Sequence, residues 1–196
     1  ILRYLNMALQ KVEDEPEKVR KYLTESRQGL LRMSNTLTQL LAFSRNREGT
    51  DETQPVGQVL RQCANLFEER MRTNGVELEM DVPPELLPCT ISNLFEVSSN
   101  VIKNALDAMP DGGKLRIAAE EDDGLIAITV SDTGPGIPED VRDQIFEPFF
   151  STKIDGSGTG LGLAMCRDTL RRAGGEIELR PSEEGATFRI TVPARE

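Results

Sequence analysis

The sequence predicts an α+β chain in two parts, a helical hairpin over residues 1–47 followed by a mixed domain of helices and strands over residues 48–196. Three observations carry that reading. An apolar seam with alternating four-and-three spacing runs from Val19 to Ser44. Five short segments after residue 75 alternate apolar and polar side chains, as half-buried strands do. Between them, Gly156-Ser157-Gly158-Thr159-Gly160-Leu161-Gly162-Leu163 places four glycines at every second position, directly before a helix-compatible run to Leu170.

In the first part, Leu2, Leu5, Leu9 and Val12 recur at helical spacing until Glu13-Asp14-Glu15 interrupts them. Pro16 is suited to open the next helix, where its missing N–H is not needed. The seam then takes Val19, Leu23, Ser26, Leu30, Met33, Leu37, Leu40 and Ser44, with Leu31 and Leu41 widening the apolar face. Two helices cannot bury such a face alone. Either a symmetric dimer forms a four-helix bundle, or the hairpin packs on its own second domain.

The net charge of −10 comes with no basic stripe, which argues against a nucleic-acid partner. No apolar run approaches a membrane span, and no signal peptide is recognisable. Cys63, Cys89 and Cys166 are widely separated and no histidine is present, so a zinc site is disfavoured and a reduced, cytoplasmic setting is expected.

The polar, turn-prone run 46–55 marks the domain boundary. An amphipathic helix is expected over Val56–Thr73, ended by Asn74-Gly75, then a strand over Val76–Val82 and a loop from Pro83 to Ser92. Residues 93–109 form a second amphipathic helix. Its apolar side carries Leu94, Val97, Val101, Ile102, Ala105, Leu106 and Met109. Glu96, Asn100, Lys103, Asn104 and Asp107 share the opposite side. Two asparagines four apart in a helix interior are poor helix formers, and an amide oxygen suits a hard Mg²⁺ that already carries phosphate oxygens. A merely solvated face is the competing reading of that helix.

Pro110-Asp111-Gly112-Gly113 is a turn, and Lys114–Ala119 and Leu125–Ser131 form a hairpin around the acidic turn 120–124. The second strand delivers Asp132 beside Gly134 and Gly136. A carboxylate there could accept a hydrogen bond from adenine's exocyclic amine, which guanine replaces with a carbonyl. Three of the seven phenylalanines follow within five positions, Phe146, Phe149 and Phe150, as reversible anchors of a loop or as core aromatics. The amides of Gly160, Leu161, Gly162 and Leu163 would lie at a helix N-terminus, which attracts a phosphate. Neither G-x-x-x-x-G-K-[ST] nor G-x-G-x-x-G matches. The helix Leu161–Ala173, a Gly174-Gly175 stop and strands Glu176–Arg180 and Thr187–Val192 complete the chain.

The motifs together resemble the catalytic portion of a two-component sensor histidine kinase, of the GHKL (gyrase-, Hsp90- and MutL-like) ATPase superfamily. Asn100-Val-Ile-Lys-Asn104-Ala105 resembles the N box and Asp132-Thr-Gly-Pro-Gly136 the first glycine box. Phe146-Glu-Pro-Phe-Phe150 resembles the F box, and Gly158-Thr-Gly-Leu-Gly-Leu163 the second glycine box. Gly185-Ala-Thr187-Phe188 falls at the last nucleotide-binding motif. The likeness covers nearly the whole chain, and Asn104-Ala-Leu-Asp107-Ala108 is similar to the nitrogen-regulation type.

The resemblance implies an α/β sandwich of the Bergerat ATP-binding type, with helices on one face of a mixed sheet. ATP would lie between helix 93–109 and a lid over residues 137–160. Asn104 would coordinate Mg²⁺, while Asn100 and Lys103 would face the phosphates. Asp132 would bind the adenine amine, Gly134 and Gly136 would allow its approach, and Thr187 would support Asp132, directly or through water. Gly158, Thr159, Gly160, Leu161 and Gly162 would wrap the triphosphate, and Lys153 could neutralise it. Asp107 stands where many relatives carry a basic residue.

Two departures qualify the likeness. Gyrase-like ATPases activate water with a glutamate four residues before the metal-binding Asn; here that position is Asn100, which cannot act as a base. The family's acceptor is a histidine on the first bundle helix, and this chain has none. That acceptor segment is expected upstream of Ile1, so these residues would bind ATP without phosphorylating themselves. A homodimer and a response-regulator receiver domain are the partners implied, in a parent that is soluble or membrane-anchored. The rivals are a non-phosphorylating dimeric adaptor with a retained nucleotide site, and a GHKL-type ATPase.

Overall fold

A computed structural model describes residues 1–10, 15–45, 55–89, 91, 93–153 and 158–195. The interrupting Glu13-Asp14, most of the expected linker (46–54), Gly156-Ser157, and the side chains of Leu37, Leu40 and Ser44 lie outside the described residues. The chain divides into two compact units, Ile1–Arg47 with Ser151–Thr159, and Glu48–Phe150 with Gly160–Glu196.

The first unit contains α1 (Leu2–Gln10) and α2 (Pro16–Arg45), which pack against each other. Pro16 opens α2, and Tyr4 of α1 stacks on Tyr22 of α2 with ring centroids 6.2 Å apart. Along the seam Ser26 is buried. Leu23, Leu30 and Met33 remain 49%, 55% and 56% exposed, so two helices leave much of the apolar face in water.

The second unit is a two-layer α/β sandwich. It contains α3 (Val56–Leu66), α4 (Glu68–Asn74), β1 (Val76–Asp81), α5 (Leu94–Ala108), β2 (Gly113–Asp122), β3 (Leu125–Asp132), α6 (Gly162–Arg172), β4 (Glu176–Arg180) and β5 (Thr187–Pro193). The single helix expected over 56–73 is two helices. The apolar pattern continues through Phe67, but its backbone (φ −104°, ψ 6°) leaves helical geometry and its ring packs against the core. Gly75, at φ +71°, ends α4.

The sheet has the order β1-β2-β3-β5-β4. β1 and β2 are parallel, joined by the crossover through α5, and the other pairs are antiparallel. Pairing of β2 with β3 extends to Asp122 and Leu125, so the hairpin closes on two residues, Asp123 and Gly124. Both have positive φ, 51° and 78°, as such a tight turn requires. One face of the sheet meets the helices in a core that includes Leu60, Leu94, Ile102, Leu106, Leu115, Ile117, Ile126, Ile128, Leu170 and Ile190. The other face is solvated, with ion pairs such as Lys114–Glu77 at 3.6 Å.

Candidate functional site

Strand alternation decides where Asp132 points. Ile126, Ile128, Val130 and Asp132 share the core side of β3, and Asp132, at its end, is only 6% exposed. Two backbone amides hold its carboxylate. Gly134 N–H donates to Oδ1 at 2.9 Å and Ala186 N–H donates to the same oxygen at 3.3 Å. Among the described residues nothing donates to Oδ2, so one acceptor of this largely buried residue remains for a ligand. Burial raises the carboxyl above its ordinary range, and the two amides pull it part of the way back.

Glycines close tightly around this group. A Cβ at Gly134 would meet Ala108 Cβ and Asp132 Oδ1 at 3.0 Å, which brings the end of α5 against the Asp132 turn. Gly185 (φ +65°) lies against the Asp132 backbone so closely that a Cβ would overlap the carbonyl oxygen. Gly136 in turn packs on the Gly185 carbonyl. Gly185 and the amide of Ala186 are thus part of the site although their motif suggested only Thr187. Thr187 makes no direct bond to Asp132 among the described residues: it projects from the opposite side of β5 to Phe188, and its hydroxyl donates to Ser131 at 3.0 Å.

On α5, Asn100 lies over the start of α6, its Oδ1 3.4 Å from where a Cβ on Gly162 would stand. The same side chain bonds the Cys166 thiol. That thiol is wholly buried and pushed up to about 12, first by desolvation and then by the charge of Glu96, with Asn100 opposing. Asn104 is half-buried and Lys103 exposed. Asp107 is paired with Arg70 of α4 at 2.5 Å.

Gly160 (φ +67°) accepts the Phe149 N–H at 2.9 Å, and a Cβ there would strike the backbone of Phe149 and Phe150. Leu161 is buried at the N-cap of α6 and makes no capping hydrogen bond through its side chain. A helix N-terminus attracts anions through its first-turn amides and its dipole. The phenylalanines divide. Phe146 packs edge-on to Phe188 at 6.3 Å, Phe150 packs on the core, and Phe149 is 72% exposed with φ +68°. Arg167 of α6, which no motif singled out, holds Phe146: it donates to the carbonyl at 2.8 Å and covers the ring at 5.4 Å.

Lys153, Gly158 and Thr159 belong to the first unit, and all three are half-buried. There the Lys153 side chain runs beside Gly158, and the Lys153 backbone N–H donates to Ser151 Oγ at 3.2 Å.

Residues 90–196 match the family of histidine kinase-, DNA gyrase B- and HSP90-like ATPases. The chain is 34% identical to the sensor kinase CckA of Brucella abortus over 185 residues, which cover 85% of this chain. It spans 20–27% of the length of curated relatives such as this one. Among solved structures it is similar to the catalytic domain of histidine kinase ThkA (30% identity, TM-score 0.67, covering 73% of this chain and 95% of that one). It is also similar to ThkA solved in complex with the response regulator protein TrrA (28% identity, TM-score 0.78, 97% of this chain and 56% of that one). With a buried carboxylate at the end of β3, an asparagine-bearing helix beside it and a glycine-led helix, the chain belongs to the histidine kinase-, DNA gyrase B- and HSP90-like ATPases, as the ATP-binding catalytic region of a sensor histidine kinase.

Proposed function

We propose that the chain binds Mg·ATP with its adenine on Asp132 and its phosphates towards Asn100, Lys103, Asn104 and the start of α6. The observation that carries this reading is the Asp132 carboxylate, with Oδ1 occupied by two amides and Oδ2 left for an exocyclic amine. Gly134, Gly136 and Gly185 let backbone approach where side chains would block. Gly160, Leu161 and Gly162 lead into the N-terminus of α6, which faces the triphosphate. Asn104 is the residue that would hold Mg²⁺, a hard ion whose part is to neutralise and orient the phosphates. The site fits that ion modestly: one neutral amide oxygen, with the remaining ligands left to phosphate and water.

The reaction served is transfer of the γ-phosphoryl to a histidine on another segment, and from there to an aspartate of a response-regulator receiver domain. Asn100 supports transfer over hydrolysis, because its amide is engaged with Cys166 and cannot act as a base towards water. With no histidine in its sequence, this chain binds nucleotide without labelling itself. The exposed Leu23, Leu30 and Met33 of α2 support a homodimer through the hairpin. A cytoplasmic location follows from this use of ATP; no described helix is long and apolar enough to cross a membrane.

Calorimetry tests the assignment. Asn104→Ala should abolish most of the gain in ATP affinity that Mg²⁺ confers, while ATP binding without metal persists. Equal enhancement by Mg²⁺ in both proteins would remove Asn104 from the metal. Incubation with γ-labelled ATP should leave no acid-labile phosphate on the 196-residue chain; stoichiometric labelling would contradict the reading.

A further inference from the structure

Asp107 occupies an electrostatically awkward position. Around α5 it stands about 20° from Asn100 and falls between Lys103 and Asn104, at the middle of the stripe assigned to the phosphates. A carboxylate there repels a triphosphate in a chain already at net charge −10. Arg70, from a helix outside every nucleotide motif, meets it: Nη2 lies 2.5 Å from Asp107 Oδ1. The pair is 36% and 18% exposed, so it is partly withdrawn from solvent. A guanidinium carries five N–H donors. Among the described residues, Nε and Nη1 of Arg70 have no acceptor. Holding α4 to α5 does not by itself require this charge, since Asn74 already donates to the Met109 carbonyl at 3.4 Å.

We propose that Arg70 is a further residue of the nucleotide site, which neutralises Asp107 and presents its remaining donors to the phosphates of a nucleoside triphosphate. The inference rests on the α5 stripe being the nucleotide face. Its consequence is specific to phosphate and to charge. Arg70→Ala should weaken ATP roughly fivefold at low salt while leaving adenosine unchanged, and the loss should shrink at high salt. Arg70→Lys should recover part of it. Adding Asp107→Asn to Arg70→Ala should also recover affinity, because the carboxylate's repulsion of the phosphates is then gone.

The experiment is calorimetry with ATP and with adenosine on the wild type, these variants and Asp132→Asn, with thermal melts to follow folding. Loss of ATP and adenosine affinity in equal proportion, or unchanged ATP affinity in Arg70→Ala, overturns the proposal and leaves the pair as a tie between α4 and α5. If Asp132→Asn weakens ATP while Arg70→Ala does not, only this inference fails. If neither weakens ATP, the site assignment itself is wrong.

Discussion

Asp132 and Asp107 are two carboxylates of one candidate site, and the molecule holds them in different ways. Asp132 is fixed by backbone: amides of Gly134 and Ala186, with Gly185 pressed against its main chain. Among the described residues no cation donates to its carboxylate, which is buried, raised in pKa and suited to a neutral donor. Asp107 is held by a side chain, the Arg70 guanidinium, and is neutralised. Backbone support resists substitution except where a side chain intrudes, whereas side-chain support is weakened by a single change. The adenine end should therefore tolerate little alteration of its glycines, and the phosphate end should respond to charge.

The largest effect should come from Gly185→Ala. The new Cβ overlaps the Asp132 carbonyl oxygen, and φ +65° adds strain, so the β3–β5 junction must shift. A loss of about 2–3 kcal/mol in denaturant unfolding and of detectable ATP binding is expected; a fully folded, ATP-binding variant would show that the backbone clamp is dispensable. Next is Arg167→Ala, which removes a carbonyl donor and a ring contact from Phe146. About 1–2 kcal/mol of stability should be lost, with proteolysis of residues 146–150 accelerated. Unchanged cleavage would mean that Phe188 alone anchors the segment. Thr187→Val should be the mildest, losing about 1 kcal/mol through Ser131 with nucleotide affinity unaltered. A marked loss of ATP affinity would restore Thr187 to the site.

Titration separates the two carboxylates further. The folded pKa of Asp132 is raised above its ordinary 3.8, so the native state holds the proton more tightly than the unfolded chain. Stability from this group is therefore greatest below pH 3.8, falls as pH rises through the raised folded pKa, and is level above it. Asp132→Asn should abolish that decline and gain on the wild type as pH increases across the window. Parallel pH profiles would show that Asp132 is not desolvated.

Much of this was legible because periodicity is local. The seam of α2, the alternation of β1 to β5 and the strand-end position of Asp132 need only neighbouring residues to be read. What was hidden depends on contacts distant in sequence. Gly185 and Ala186 support Asp132 because β5 pairs with β3, and the register Ser131–Thr187 decides that Thr187 faces away. One residue of register reverses such an assignment, and no motif encodes it. The break at Phe67 escaped the pattern because an apolar residue suits both a continuing helix and a core contact. Arg70 and Arg167 lie on helices whose charged positions read as solvated faces, and only packing shows that each reaches a neighbouring element.

The central claim is that Asp132 recognises the exocyclic amine of adenine, and inosine triphosphate isolates that contact because a carbonyl replaces the amine. Calorimetry with ATP and inosine triphosphate on the wild type and Asp132→Asn is the decisive measurement. The wild type should prefer ATP by about tenfold to a hundredfold, and Asp132→Asn should lose most of that preference by weakening ATP. Equal affinity of the wild type for both nucleotides, or a preference that survives in Asp132→Asn, would contradict the account.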